Sequence, residues 1–139
     1  MLKYLIGNKP KPSKTKYEFK MLHSFEKRQK EASRIREKYP DIIPIVLEKS
    51  DSSDIIDVDK HKYLVPEDMT IGQFMYSVRK NMKIESSQSI FFFINNITIP
   101  RMEDTFGDIY ENNKDKDNYL YITFSSENTF GLNYRNCVH

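Results

Sequence analysis

Lys62-Tyr63-Leu64-Val65-Pro66 and, three residues further on, Thr70-Ile71-Gly72-Gln73-Phe74 decide how this chain folds. The first stretch is a short apolar strand stopped by Pro66, which cannot donate to a ladder. The second opens a helix: Thr70 is a favoured N-cap residue, and Ile71, Phe74, Val78 and Met82 recur at helical spacing along one face. Upstream, the β-branched run Ile42-Ile43-Pro44-Ile45-Val46-Leu47 reads as a partner strand, with Pro44 tolerable only at an edge or an unpaired position. The polar, Ser/Asp-rich segment from Lys49 to Asp59 reads as the loop between them. Downstream, Ile90-Phe91-Phe92-Phe93-Ile94 is apolar at every position, which predicts a central strand. Asn95-Asn96 reads as a turn, Thr105 to Asn112 as a short helix, and Tyr119 to Phe124 as the last strand.

The N-terminal third differs. Residues 1–16 contain Pro10, Pro12 and five lysines, and read as a mobile basic extension. A short helix is expected from Lys16 to Leu22. Ser24 then caps a second helix reaching about Lys38, with Glu26 in its first turn, where a negative charge suits the helix dipole. Phe25, Ala32 and Ile35 fall near one face of it, and Lys27, Arg28, Lys30, Arg34 and Arg36 populate the others. Tyr39-Pro40 ends it, because a residue before proline is pushed out of the α region. Two helices, then β, β, α, β, short α, β give an α+β chain. Past the two helices this is the ubiquitin-like β-grasp order, with a four-stranded mixed sheet.

A length of 139 residues fits one domain, and 38% hydrophobic and 13% aromatic residues are enough for a core. The formal net charge of +2 hides an asymmetry: residues 1–38 carry 12 Lys/Arg against 4 Asp/Glu, and the remainder carries 10 against 16. A basic third on an acidic body suits an acidic partner or a membrane surface. No aromatic-interleaved basic motif is present, which argues against nucleic acid. The single cysteine, Cys137, excludes an internal disulfide and fits a cytosolic setting. No run is long enough to cross a bilayer, and the apolar start, Met1 to Gly7, is too short for a signal peptide.

Nothing in the chain assembles an active site. His23, His61 and His139 share no metal-ligand spacing with Cys137, and the four glycines are scattered, so no cofactor and no metal are expected. Glu111, Asp115 and Asp117 read as a solvated charged turn. Thr129-Phe130-Gly131 follows the last strand, with Leu132 to His139 beyond it. A glycine there leaves its carbonyl open to a nucleophile from angles that a Cβ would block. On that reading Gly131 is the chemical end of a mature protein; on the other, it merely ends a strand.

Several blocks, in order and in register from about residue 17 to 131, carry a resemblance. They are Phe25-Glu26-Lys27-Arg28, Ile35-Arg36-Glu37-Lys38-Tyr39-Pro40-Asp41-Ile42-Ile43-Pro44 and Asp59-Lys60-His61-Lys62-Tyr63-Leu64-Val65-Pro66. Further along stand Thr70 to Phe74, Phe91 to Asn96, Asp108-Ile109-Tyr110-Glu111, Asn118 to Ile122 and Glu127-Asn128-Thr129-Phe130-Gly131. The chain resembles the autophagy-related ubiquitin-like modifiers, of the GABA receptor-associated protein and microtubule-associated protein light chain type.

The resemblance implies a modifier domain over residues 17–131 and a propeptide over 132–139. A processing cysteine protease would cut between Gly131 and Leu132. E1-like and E2-like enzymes would then pass the new carboxylate to phosphatidylethanolamine, so that the reactive groups belong to those enzymes. The product would sit in the cytoplasm, on autophagosome membranes and on cytoplasmic vesicles. The resemblance also implies recognition of aromatic-x-x-aliphatic motifs on cargo receptors, added as a strand to a sheet edge. Its aromatic pocket would involve Glu31, Ile35, Pro44, Leu64 and Tyr119, with Lys62 at the lip. Its aliphatic pocket would involve Tyr63, Val65, Pro66, Met69, Phe74 and Val78, and Lys60, Lys62 and Arg79 would attract flanking acidic residues. Ile42 stands where this branch usually has arginine. Ser77 stands where an apolar residue often lines the aliphatic pocket, which predicts a shallower or more polar pocket. The alternative is an unconjugated adaptor for cytoskeletal partners such as microtubules, or for vesicle-trafficking proteins.

Overall fold

In the computed structural model, the described residues are 16–51, 58, 60–85 and 87–126. The basic extension through residue 15, most of the loop before β2, and the Gly131–Leu132 bond lie outside them. Two helices, α1 (Glu18–Leu22) and α2 (Phe25–Lys38), precede strands β1 (Ile42–Lys49) and β2 (Lys62–Pro66). Helix α3 (Ile71–Met82), strand β3 (Ile90–Ile94), helix α4 (Phe106–Asn113) and strand β4 (Leu120–Ser126) follow. The strands form one mixed sheet in the order β2-β1-β4-β3. β1 is antiparallel to β2 and parallel to β4, and β3 is antiparallel to β4.

The caps act as the sequence predicts. Ser24 accepts from the Lys27 N–H at 3.2 Å, and Thr70 forms a reciprocal capping box with Gln73. Pro44 pairs with Leu64 of β2 at a position where that ladder asks for no N–H. The Leu47 N–H donates to the His61 carbonyl on the β2 side, so by the two-residue repeat the Pro44 nitrogen faces β4. Pairing with β4 begins one residue later, at Ile45–Leu120.

Both faces of the sheet are covered. Ile43, Ile45, Leu47, Leu120, Ile122 and Phe124 pack against α3 and α4 through Ile71, Phe74, Val78, Phe106 and Ile109. On the other face Val46, Tyr119 and Tyr121 pack against Tyr17, the N-cap of α1, and Ala32 of α2. Each such buried large side chain contributes roughly 1.5–3 kcal/mol.

Four expectations fail. β3 is an edge strand, not a central one. Its continuous apolar pattern arises because both faces are buried, with Phe92 and Ile94 in the main core and Phe93 (2% exposed) on the opposite face. Arg28 is not on a solvated face but buried, and Asp117 is fully buried rather than in a solvated turn. The two form an ion pair at 3.4 Å, which, with the Tyr121 hydroxyl and the Tyr119 N–H, satisfies the Asp117 carboxylate. Phe25 is exposed, stacked beneath the Arg28 guanidinium at 5.7 Å.

Candidate functional site at the edge of strand β2

β2 lies at the rim of the sheet, and among the described residues no strand pairs with its outer edge. Its register places Ile43 opposite Val65, Pro44 opposite Leu64 and Ile45 opposite Tyr63. The Leu47–His61 bond fixes which residues face inward: Tyr63 and Val65 turn their backbone groups to β1. Lys62 and Leu64 turn theirs outward, which makes an open ladder edge. Pro66 ends it, with no N–H to offer.

The side chains of β2 divide between the two flanks. Tyr63 and Val65 point toward α3 and line a cavity of about 570 Å³ with Met69, Phe74 and Val78. The Tyr63 and Phe74 rings meet edge to face at 5.3 Å. Lys60 places its ammonium 5.2 Å from the centre of the Tyr63 ring. Pro66 and Met69 continue into a shallower concavity beside Thr70 and Gln73.

On the opposite flank, Lys62 and Leu64 share the face of Pro44 and Val46. Lys62 bonds Glu31 of α2 at 3.0 Å, and the Tyr119 hydroxyl donates to the other Glu31 oxygen. Burial alone would raise the Glu31 pKa, but the bonds from Tyr119 and Lys62 and the Lys62 charge outweigh it, so the pKa falls. The Tyr119 phenol is driven up, first by burial and then by that carboxylate. Ile35 lies one helical turn beyond Glu31 and is partly buried, Pro44 is buried, and Leu64 is 52% exposed. Leu64 is thus an open apolar side chain on an edge strand, between the Glu31–Lys62 ion pair and the buried Pro44.

The Atg8 family model, described as "Autophagy protein Atg8 ubiquitin like", matches residues 27–131. Autophagy-related protein 8B of Oryza sativa subsp. indica is 55% identical over 117 residues, covering 84% of this chain and 98% of that protein. Autophagy-related protein 8e of Arabidopsis thaliana is 51% identical over 113 residues, covering 81% of this chain and 92% of that protein. This chain belongs to the Atg8 family. A crystal structure of Trypanosoma brucei ATG8 is similar in fold, with a TM-score of 0.77 and 41% identity over 84% of this chain and all of that one. The Atg8 family is one of ubiquitin-like proteins, and the β-grasp sheet described above is their fold.

Within this Atg8 chain, the residues named from sequence separate into two groups and one outlier. Tyr63, Val65, Met69, Phe74, Val78 and Lys60 converge on the cavity, with Pro66 at its margin. Glu31, Ile35, Pro44, Lys62, Leu64 and Tyr119 gather on the other flank. Arg79 joins neither: it lines a separate groove with Met75 and Phe91 and donates to the Glu85 carbonyl at 2.8 Å. Sequence reading missed Val58, Asn81 and Met82 as cavity residues, Met82 having been read only as part of the apolar face of α3. Val58 sits within a segment read as polar loop. Asn81 was findable, since it lies one turn beyond Ser77 on α3.

Proposed function

We propose that this chain is a ubiquitin-like modifier of autophagy, cleaved after Gly131 and amide-linked through that glycine to phosphatidylethanolamine. Residues 17–131 are the modifier and 132–139 the propeptide. A processing cysteine protease and E1-like and E2-like enzymes supply the chemistry. Among the described residues no helix is long and apolar enough to cross a membrane. Two acyl chains carried on Gly131 give stable anchoring where one gives marginal binding, which places the conjugate on the autophagosome membrane.

Once anchored, the domain recruits cargo receptors through short aromatic-x-x-aliphatic motifs. The observation that carries this reading is the open edge of β2, flanked by a cavity on one face and by the Glu31–Lys62–Leu64 surface on the other. In an extended peptide, residues three apart point to opposite faces. A strand added to β2 therefore delivers its aromatic anchor toward Leu64 and Pro44 and its second anchor into the cavity. Lys60 and Lys62 attract acidic residues beside the motif. Two buried anchors and a few backbone bonds correspond to roughly micromolar binding.

Intact-mass measurement on the cellular protein tests the conjugation. The expected species end at Gly131, with a lipid adduct that disappears in Gly131→Ala. Molecules that all retain His139 would instead support an unconjugated adaptor.

A further inference from the structure

Resting on the docking mode above, we propose that Tyr119 is a positioning residue that ties helix α1 to the open edge of β2, so that docking of α1 readies that edge for the motif. Tyr119 is fully buried just before β4. Its ring meets Phe19 of α1 edge to face at 5.1 Å, and its hydroxyl donates to one oxygen of Glu31 on α2. The other Glu31 oxygen accepts from the Lys62 ammonium of β2 at 3.0 Å. Four residues thus form one relay from α1 to the edge strand.

Glu31 is a long, partly exposed side chain with several rotamers open to it. Held by the phenol, it stays against the sheet and keeps Lys62 beside Leu64. Lys62 has three N–H donors, so it can keep Glu31 and still meet an acidic residue of the motif. A peptide that finds both side chains already ordered loses less entropy on binding. Burial would raise the Glu31 pKa, and the Tyr119 bond leads the influences that lower it, ahead of Lys62 and of His23 at the α1–α2 joint. The part that can switch is α1. Its five residues are too few to persist alone, and its first N–H groups rest on Glu48. Released, α1 takes Phe19 off the Tyr119 ring, and water competes for the hydroxyl that holds Glu31.

The test uses the full chain and one labelled ten-residue peptide, titrated by fluorescence anisotropy. The peptide has acidic flanks, tryptophan as first anchor and leucine three positions later. Tyr119→Phe, which keeps the ring and removes the hydroxyl, is expected to weaken binding about threefold to tenfold. Glu48→Ala, which uncaps α1 without altering Tyr119, Glu31 or Lys62, should do the same, as should Phe19→Ala. Glu48→Ala combined with Tyr119→Phe should be no weaker than Tyr119→Phe alone, because both act on one link. Carboxyl-carbon NMR should find the Glu31 pKa raised in each single variant, which a mere loss of stability would not produce. If Glu48→Ala and Phe19→Ala leave the affinity and the Glu31 titration unchanged, α1 does not reach the edge and the proposal is wrong. If the double variant is additive, the coupling bypasses the Tyr119 hydroxyl and the assignment is equally wrong. Leu64→Ala, expected to weaken binding about tenfold, separates these failures from that of the docking mode. If it weakens binding while the other variants do not, the docking mode stands and the relay falls. If no peptide binds, or Leu64→Ala changes nothing, the docking mode fails and the relay's role with it.

Discussion

Asp115 and Asp117, two positions apart, are driven in opposite directions. Burial opposes ionisation of Asp115, but its bond to Lys20 at 2.9 Å, the Asp117 N–H and the Lys20 charge outweigh it and lower the pKa. Asp117 is raised, chiefly by burial and also by the Asp115 charge, against the pull of Tyr121, the Tyr119 N–H and Arg28. The pH consequences oppose each other. Asp115 contributes stability above the ordinary aspartate value, lost as pH falls through its lowered folded-state value. Asp117 carries a buried charge whose cost is shed as pH falls through its raised value. Carboxyl-carbon NMR titration should find the two on either side of 3.8. Finding Asp117 at or below 3.8 would reject the burial argument. Arg28 and Asp117 were illegible in the sequence for one physical reason. Each reads as a surface charge, and the partner that permits its burial lies 89 positions away.

Helix α1 is held by a strand rather than by its own residues. It has five residues, too few to persist alone, and its N-cap Tyr17 makes no side-chain cap. Both carboxylate oxygens of Glu48, on β1, accept from the N–H groups of Glu18 and Phe19 at 2.8 Å. Glu48 is thus a cap supplied from the sheet, and the Tyr17 hydroxyl, 2.8 Å from Thr123, adds a second tie. Glu48→Ala is expected to cost about 1 kcal/mol. It should raise amide hydrogen exchange at residues 18–22 while leaving β1 and β4 protected. Glu48→Gln, which keeps one acceptor, should fall between; unchanged exchange in Glu48→Ala would exclude the cap. At this scale the sequence was mostly legible. Every helix and strand exists near its expected place because caps, prolines and apolar spacing are local signals. The position of β3 was not, since an all-apolar strand reports burial on two faces and says nothing about neighbours on two edges. The two flanks of β2 were legible only through the resemblance, because Glu31 and Lys62 meet across 31 positions.

The molecule as a whole is electrically lopsided, and that predicts a salt-dependent attraction to anionic membranes. Residues 1–38 carry 12 Lys/Arg against 4 Asp/Glu, whereas the remainder has an excess of six acids. Residues 1–16 contribute five lysines and no acid, so deleting them changes the formal net charge from +2 to −3. The cut would spare Tyr17, the first of the described residues in the packed core. Each lysine held near an anionic bilayer contributes about 1 kcal/mol, falling off within a Debye length. At low salt the full chain should co-sediment with phosphatidylserine-containing vesicles and the deletion should not. At about 0.5 M salt the two should converge, because the screening length shrinks below the size of the contact. Neutral vesicles should bind neither under any salt. If the deletion sediments with acidic vesicles as well as the full chain at low salt, the lysines play no part in membrane contact. Attraction would then have to come from the packed domain, where the basic face of α2 offers Lys27, Lys30 and Arg34 to solvent.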